Sequence, residues 1–130
     1  MKQILLTLLL AGATLTACHR HTFEEQILDD VNNFNTKEAP KRMDMITTLD
    51  SMAYDSDSQT LSYFYTIEEE IGIESLAGDE FKRVLGEHVR TSIPLKAYKE
   101  HGLNFHFKYL SQKSGKPLVE CTFTPEEYSR

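Results

Sequence analysis

Two stretches constrain the fold more than anything else in this chain. Leu61-Ser62-Tyr63-Phe64-Tyr65-Thr66-Ile67 places Leu61, Tyr63, Tyr65 and Ile67 at every second position. Leu103, Phe105, Phe107 and Tyr109 alternate in the same way with Asn104, His106 and Lys108. Aromatic and β-branched residues at a period of two predict half-buried strands, with one face packed and one face wet. Val119, Cys121 and Phe123 alternate with Glu120, Thr122 and Thr124 and predict a third strand. The Ser111 to Lys116 stretch, with Gly115, is a turn, so the last two strands form a hairpin. Met43 to Tyr54 is richer in apolar and β-branched residues than its surroundings and reads as a strand with imperfect alternation. The aspartates and serines of Asp55-Ser56-Asp57-Ser58 turn it back toward Leu61.

The helices are read from a different period. Thr22 followed by Glu25 has the form of a capping box, and Phe23, Ile27, Val31 and Phe34 then share one helical face, with Asn35 as the stop. Asp79 caps a second helix whose apolar stripe is Phe81, Val84, Leu85, His88 and Val89. Pro94 ends it, because proline cannot sit inside a helix without breaking it. A short third helix has Pro94 in its first turn and Gly102 just past its end. The order helix, strand, strand, helix, strand, strand predicts a small α+β domain, an antiparallel sheet with its helices on one face. The other face then carries Ser62, Phe64, Thr66, Asn104, His106, Lys108, Glu120 and Thr122.

The N-terminus addresses location rather than fold. Lys2 precedes an apolar run from Ile4 to Leu10, interrupted only by Thr7, and small residues follow. This is the pattern of a secretory signal. It is too short to cross the roughly 30 Å hydrocarbon core of a bilayer. The sequence Leu15-Thr16-Ala17-Cys18 resembles the lipobox of bacterial lipoproteins. That resemblance implies a diacylglyceryl group on the Cys18 thiol, cleavage before Cys18, and a fatty acid such as palmitate on the new amine. It divides the chain into a signal peptide over 1–17, a tether over 18–21 and one α+β domain over 22–130. At about 3.5 Å per residue the tether reaches roughly 14 Å, which keeps the domain close to a membrane. His19 stands where inner-membrane retention favours Asp, so the resemblance implies the outer membrane, on its periplasmic or its surface face.

Charge and residue types narrow the function classes. The formal charge of −6 becomes one unit more negative when Lys2 leaves with the signal. An acidic chain without a basic stripe is not built for nucleic acid, whose binding replaces counterions with Lys and Arg. With Cys18 acylated, Cys121 has no partner for an intramolecular disulfide. Asp55 and Asp57 begin like a calcium loop, but Thr60 and Thr66 stand where such a loop needs Gly and Glu. His88, His101 and His106 lack zinc-helix spacing. Cys121 sits mid-strand on the inner face, where a thiol is packing rather than a nucleophile. No glycine-rich phosphate loop or nucleophile elbow occurs. No cofactor or metal is expected, and no catalytic residue is assigned.

Several stretches also resemble a family of small, uncharacterised bacterial envelope proteins. These are Pro40, Met43, Asp44, Thr47 and Leu49-Asp50, then Leu61 to Thr66, Gly102, the aromatics Phe105, Phe107 and Tyr109, Ser114-Gly115, and Thr122 to Tyr128. The resemblance implies the segment order and no activity. Its members carry cysteines near the last helix and the C-terminus, at positions this chain does not match. The expectation is therefore a lipid-anchored accessory or binding module, not an enzyme, which docks an unknown protein partner through Phe64, His106 and Lys108 on the open sheet face. A small hydrolase-like enzyme using Asp44, Asp50, His88 or His106 is the alternative.

Overall fold

The computed structural model describes residues 22–68 and 78–129. The lipobox with Cys18, the signal over 1–17, the tether over 18–21 and most of the acidic run after Ile67 lie outside the described residues. The elements run α1 (Phe23–Asn33), a π-helical turn (Phe34–Glu38), β1 (Lys41–Arg42), β2 (Thr47–Asp55), β3 (Thr60–Ile67), α2 (Asp79–Thr91), α3 (Lys96–Glu100), β4 (Asn104–Ser111), β5 (Pro117–Phe123) and α4 (Pro125–Tyr128). This is the expected mixed α+β domain. Among the described residues five strands form one sheet in sequence order, β1-β2-β3-β4-β5.

The sheet corrects one expectation. Three of its pairings are antiparallel, but the central pair β3 and β4 is parallel, with Thr60 opposite Asn104 and Ile67 opposite Ser111. The reason lies in the connection. Parallel neighbours need a long crossover, and here α2 and α3 carry the chain from the end of β3 back to its start. A hairpin-only reading had no place for that return.

The first helix begins as its sequence predicts, with the Thr22 hydroxyl accepting from the Glu25 N–H at 3.1 Å. It does not stop at Asn35. The chain continues through the π-helical turn, and the Asn35 amide is used elsewhere. Its Nδ2 donates to the Met52 carbonyl at 2.8 Å and its Oδ1 accepts from the Met52 N–H at 2.9 Å. β1 covers β2 only at Thr48 and Leu49, so Asn35 takes over the edge where β1 has ended.

β2 starts later than predicted because Asp44 holds a turn ahead of it, its Oδ1 accepting from the N–H groups of Ile46 and Thr47. A bulge at Asp50 then shifts the register against β3. One extra residue reverses which face the following side chains take, so Leu49 and Met52 lie on the same face. That is why the alternation in this stretch looked imperfect.

Registered columns of side chains build the inner face. Leu49, Tyr65, Tyr109 and Val119 form one column, and Met52, Tyr63, Phe107 and Cys121 the next. Tyr65 stacks on Tyr109 with ring centroids 4.6 Å apart, and Tyr63 on Phe107 at 5.2 Å. Ile27 and Val31 of α1 and Leu85 and Val89 of α2 close over this face. Val84 and His88 of the predicted stripe are exposed instead. α2 is capped by the backbone of Gly78, without a side-chain cap, and Asp79 and Glu80 occupy its first turn. Pro94 lies in the turn before α3, and Gly102 follows α3 at φ +73°, a conformation glycine adopts without cost.

Candidate functional site

The outer face of the sheet is made by the residues between those columns. Thr48, Asp50, Ser51, Ser62, Phe64, Thr66, His106, Lys108 and Leu110 are all partly exposed, and Glu120 and Thr122 are exposed. None of them is buried, whereas Leu61, Phe105, Phe107, Tyr109 and Phe123 of the inner face are. Among the described residues the helices pack on the inner face alone.

Register brings the expected docking residues together. Phe64 is opposite Lys108 across the parallel seam, and Lys108 is opposite Glu120 on β5. The ring of His106 meets Phe64 edge-on, with centroids 6.0 Å apart. Edge-to-face packing of this kind fixes ring orientation as well as burying area.

The same register assembles a hydrogen-bonded chain that sequence reasoning missed. His106 Nδ1 lies 3.0 Å from Ser62 Oγ, and His106 Nε2 lies 2.7 Å from Glu120 Oε2. A neutral imidazole protonated at Nε2 satisfies both contacts: it donates to the Glu120 carboxylate and accepts from the Ser62 hydroxyl. The imidazole side chain is 18% exposed and its carboxylate partner 51%. Alternation had put all three residues on one face. Only the strand register could show that they touch.

Chemically, the chain is serine, imidazole and carboxylate, the order of a nucleophile, a base and an orienting group. Its setting opposes that use. Ser62 sits mid-strand with β2 on one side and β4 on the other, so nearby backbone N–H groups serve the ladders. Acyl transfer needs donors aimed at a developing oxyanion, and a doubly paired strand has few to offer.

The other residues of the hydrolase alternative do not converge on this chain. Asp44 holds its turn, and those backbone hydrogen bonds, chiefly from Ile46, keep its carboxyl below the usual range. Asp50, in the bulge, accepts from the Thr66 hydroxyl on the outer face. His88 is exposed on α2 over the opposite face. The Asp55 to Ser58 segment is a tight turn, with Asp55 accepting from the Asp57 N–H at 3.1 Å and the Ser58 hydroxyl at 2.8 Å. Among the described residues, no group of three or more His, Cys, Asp and Glu side chains is placed to hold a metal ion. Cys121 is half-buried opposite Phe107, and burial pushes its thiol pKa up, away from the reactive thiolate.

Residues 22–119 match the family model described as Domain of unknown function (DUF8479). The chain belongs to that family. The match runs from the cap of α1 into β5 and so includes Ser62, Phe64, His106 and Lys108 but stops one residue short of Glu120. No curated protein matches the sequence.

Solved structures share the fold of this DUF8479 protein at low identity. A Pseudomonas aeruginosa protein described as secreted superposes with a TM-score of 0.66 at 12% identity, covering 79% of this chain and 90% of its own. The pilotin EpsS of the Vibrio vulnificus type 2 secretion system gives a TM-score of 0.54 at 8% identity, covering 77% and 86%. The type II secretion pilotin AspS of Vibrio cholerae gives 0.52 at 8% identity, covering 76% and 85%. At such identities the likeness establishes a shared architecture and assigns no site.

Proposed function

We propose that this DUF8479 protein is a non-catalytic accessory module of the bacterial cell envelope, one that docks a protein partner. In this reading residues 1–17 are a lipoprotein signal, Cys18 carries the lipid, residues 18–21 are the tether, and 22–130 form the domain. The anchor holds the domain at a membrane, with the outer membrane favoured. Two of the neighbours that share its fold are pilotins of secretion systems, which supports an envelope accessory role.

The observation that carries the reading is the open outer face. A sheet packed on one side needs only a polar opposite side to be soluble. This one instead holds an aromatic ring, Phe64, oriented by His106, whose own position is set by Ser62 and Glu120. Lys108 stands opposite Phe64 and Glu120 opposite Lys108, so two opposite charges lie in register on one side of the ring. An oriented aromatic ringed by polar groups is the usual form of an anchor point for a protein interface.

The test is crosslinking in cells, with the wild type beside a Phe64→Ala/His106→Ala/Lys108→Glu variant of verified fold. The expected result is a specific protein captured by the wild type and lost by the variant. Equal capture by both would move the docking surface elsewhere on the molecule.

The Ser62–His106–Glu120 chain supports a second reading, a weak hydrolase with Ser62 as nucleophile and His106 as base. Turnover of activated esters by the purified domain, abolished by Ser62→Ala, would establish it. Equal rates from wild type and Ser62→Ala would dismiss it.

A further inference from the structure

On the inner face a groove remains between the helices. It encloses about 630 Å³. Tyr63, Tyr65 and Phe107 form its floor, Met43 and Met52 one flank, and Tyr98 of α3 stands in its wall. This lies within the roughly 300–1,000 Å³ range of sites that hold small apolar ligands. The lining suits a flexible hydrocarbon, because methionine adapts its shape and the stacked rings give a smooth apolar floor.

What would fill it is indicated by the position of α1, whose cap Thr22 follows Cys18 by four residues. Phe23, the first residue of α1, stacks its ring on His101 at 3.4 Å and lies 6.0 Å from the ring of Tyr98. The start of α1 therefore lies beside a wall of the groove. Cys18 is separated from Thr22 by a span of roughly 14 Å at full extension.

A lipoprotein that carries a diacylglyceryl group and an amide-linked fatty acid has one chain more than the two that stable anchoring requires. We propose that the groove holds one acyl chain of the lipid on Cys18, leaving the other two in the bilayer. The inference rests on lipidation of Cys18. It would fix the domain with the Tyr98 side of the groove toward the membrane.

The test places a photoreactive benzoylphenylalanine at position 63, on the floor, and separately at position 43, on the rim, in the full chain expressed in bacteria. A third form carries it at position 108 on the outer face. After irradiation, digestion and mass spectrometry, positions 63 and 43 should each be joined to the lipidated Cys18 peptide at least tenfold more than position 108. The adduct should vanish in Cys18→Ser. Adducts to free phospholipid, adducts to another protein, or no adduct from either groove position would overturn the proposal. The mass of the Cys18 peptide separates the two possible failures. Without lipid on Cys18 the anchor reading falls as well, whereas a lipidated Cys18 that forms no adduct overturns the groove assignment alone.

Discussion

The two faces of the sheet are cut from the same strands and differ in almost everything else. The inner face is a set of stacked and edge-on aromatic rings closed by helices, with Phe105 and Leu61 fully buried. Among the described residues the outer face holds no buried side chain, and its order comes from hydrogen bonds between side chains of adjacent strands. Stability should therefore reside in the first face and recognition in the second. Four measurements test that division.

The largest effect belongs to Phe105, which is 0% exposed and packs edge-on against Tyr128. Phe105→Ala should cost about 3–5 kcal/mol in urea unfolding, the range for deleting a buried aromatic ring. A loss below about 1 kcal/mol would mean that the inner face is not the core described here.

Alkaline titration probes the same face through its hydroxyls. All six tyrosines have pKa values raised by burial, and Tyr65 is pushed up to about 12. A folded-state pKa above the unfolded value near 10 contributes stability that is fully present below pH 10. For Tyr65 that contribution is lost as the pH rises from about 10 through about 12. Tyrosinate absorbance should stay low past pH 10 and then rise together with the loss of near-ultraviolet circular dichroism. A smooth titration near pH 10 with the fold intact would contradict the buried face.

Gly86 tests how tightly α2 lies on the sheet. A Cβ at this position would sit 3.0 Å from Cε1 of Phe123. Gly86→Ala should destabilise by about 1–3 kcal/mol, as overpacked sites do, despite alanine's better helix propensity. A stabilised variant would show that Phe123 yields.

Glu120→Gln is the smallest of the four in stability, within about 0.5 kcal/mol, as expected for a half-exposed surface carboxylate. It should weaken partner capture while leaving the unfolding curve in place. A large drop in stability would turn the Ser62–His106–Glu120 chain from a recognition device into a structural one.

Much of this division was legible in the sequence. Leu61, Tyr63, Tyr65 and Ile67 announced one face and Ser62, Phe64 and Thr66 the other, because a strand's side-chain period is two whatever its neighbours do. Thr22 and Gly102 marked helix ends for reasons local to those residues. The parallel seam was not legible, since alternation is identical in parallel and antiparallel strands and only the path of the connection distinguishes them. The contact of Ser62 with His106 was hidden for the same reason. Those residues face each other only because Ser62 registers with His106 across that seam. The Asp50 bulge and the Asn35 clamp on Met52 are likewise products of tertiary pairing, and neither residue type is specific enough to announce such a role.

The parallel seam has a consequence for how the molecule comes into being. β2 with β3, and β4 with β5, are neighbours along the chain and can pair early at little entropic cost. Joining Thr60 to Asn104 closes a loop that contains the whole helical crossover, so among the strand pairings the seam has the longest sequence separation to bridge. Folding speed should be set there. If the outer face is the docking surface proposed above, it is complete only when the slowest strand pairing has formed, so that an incompletely folded copy has nothing with which to engage a partner.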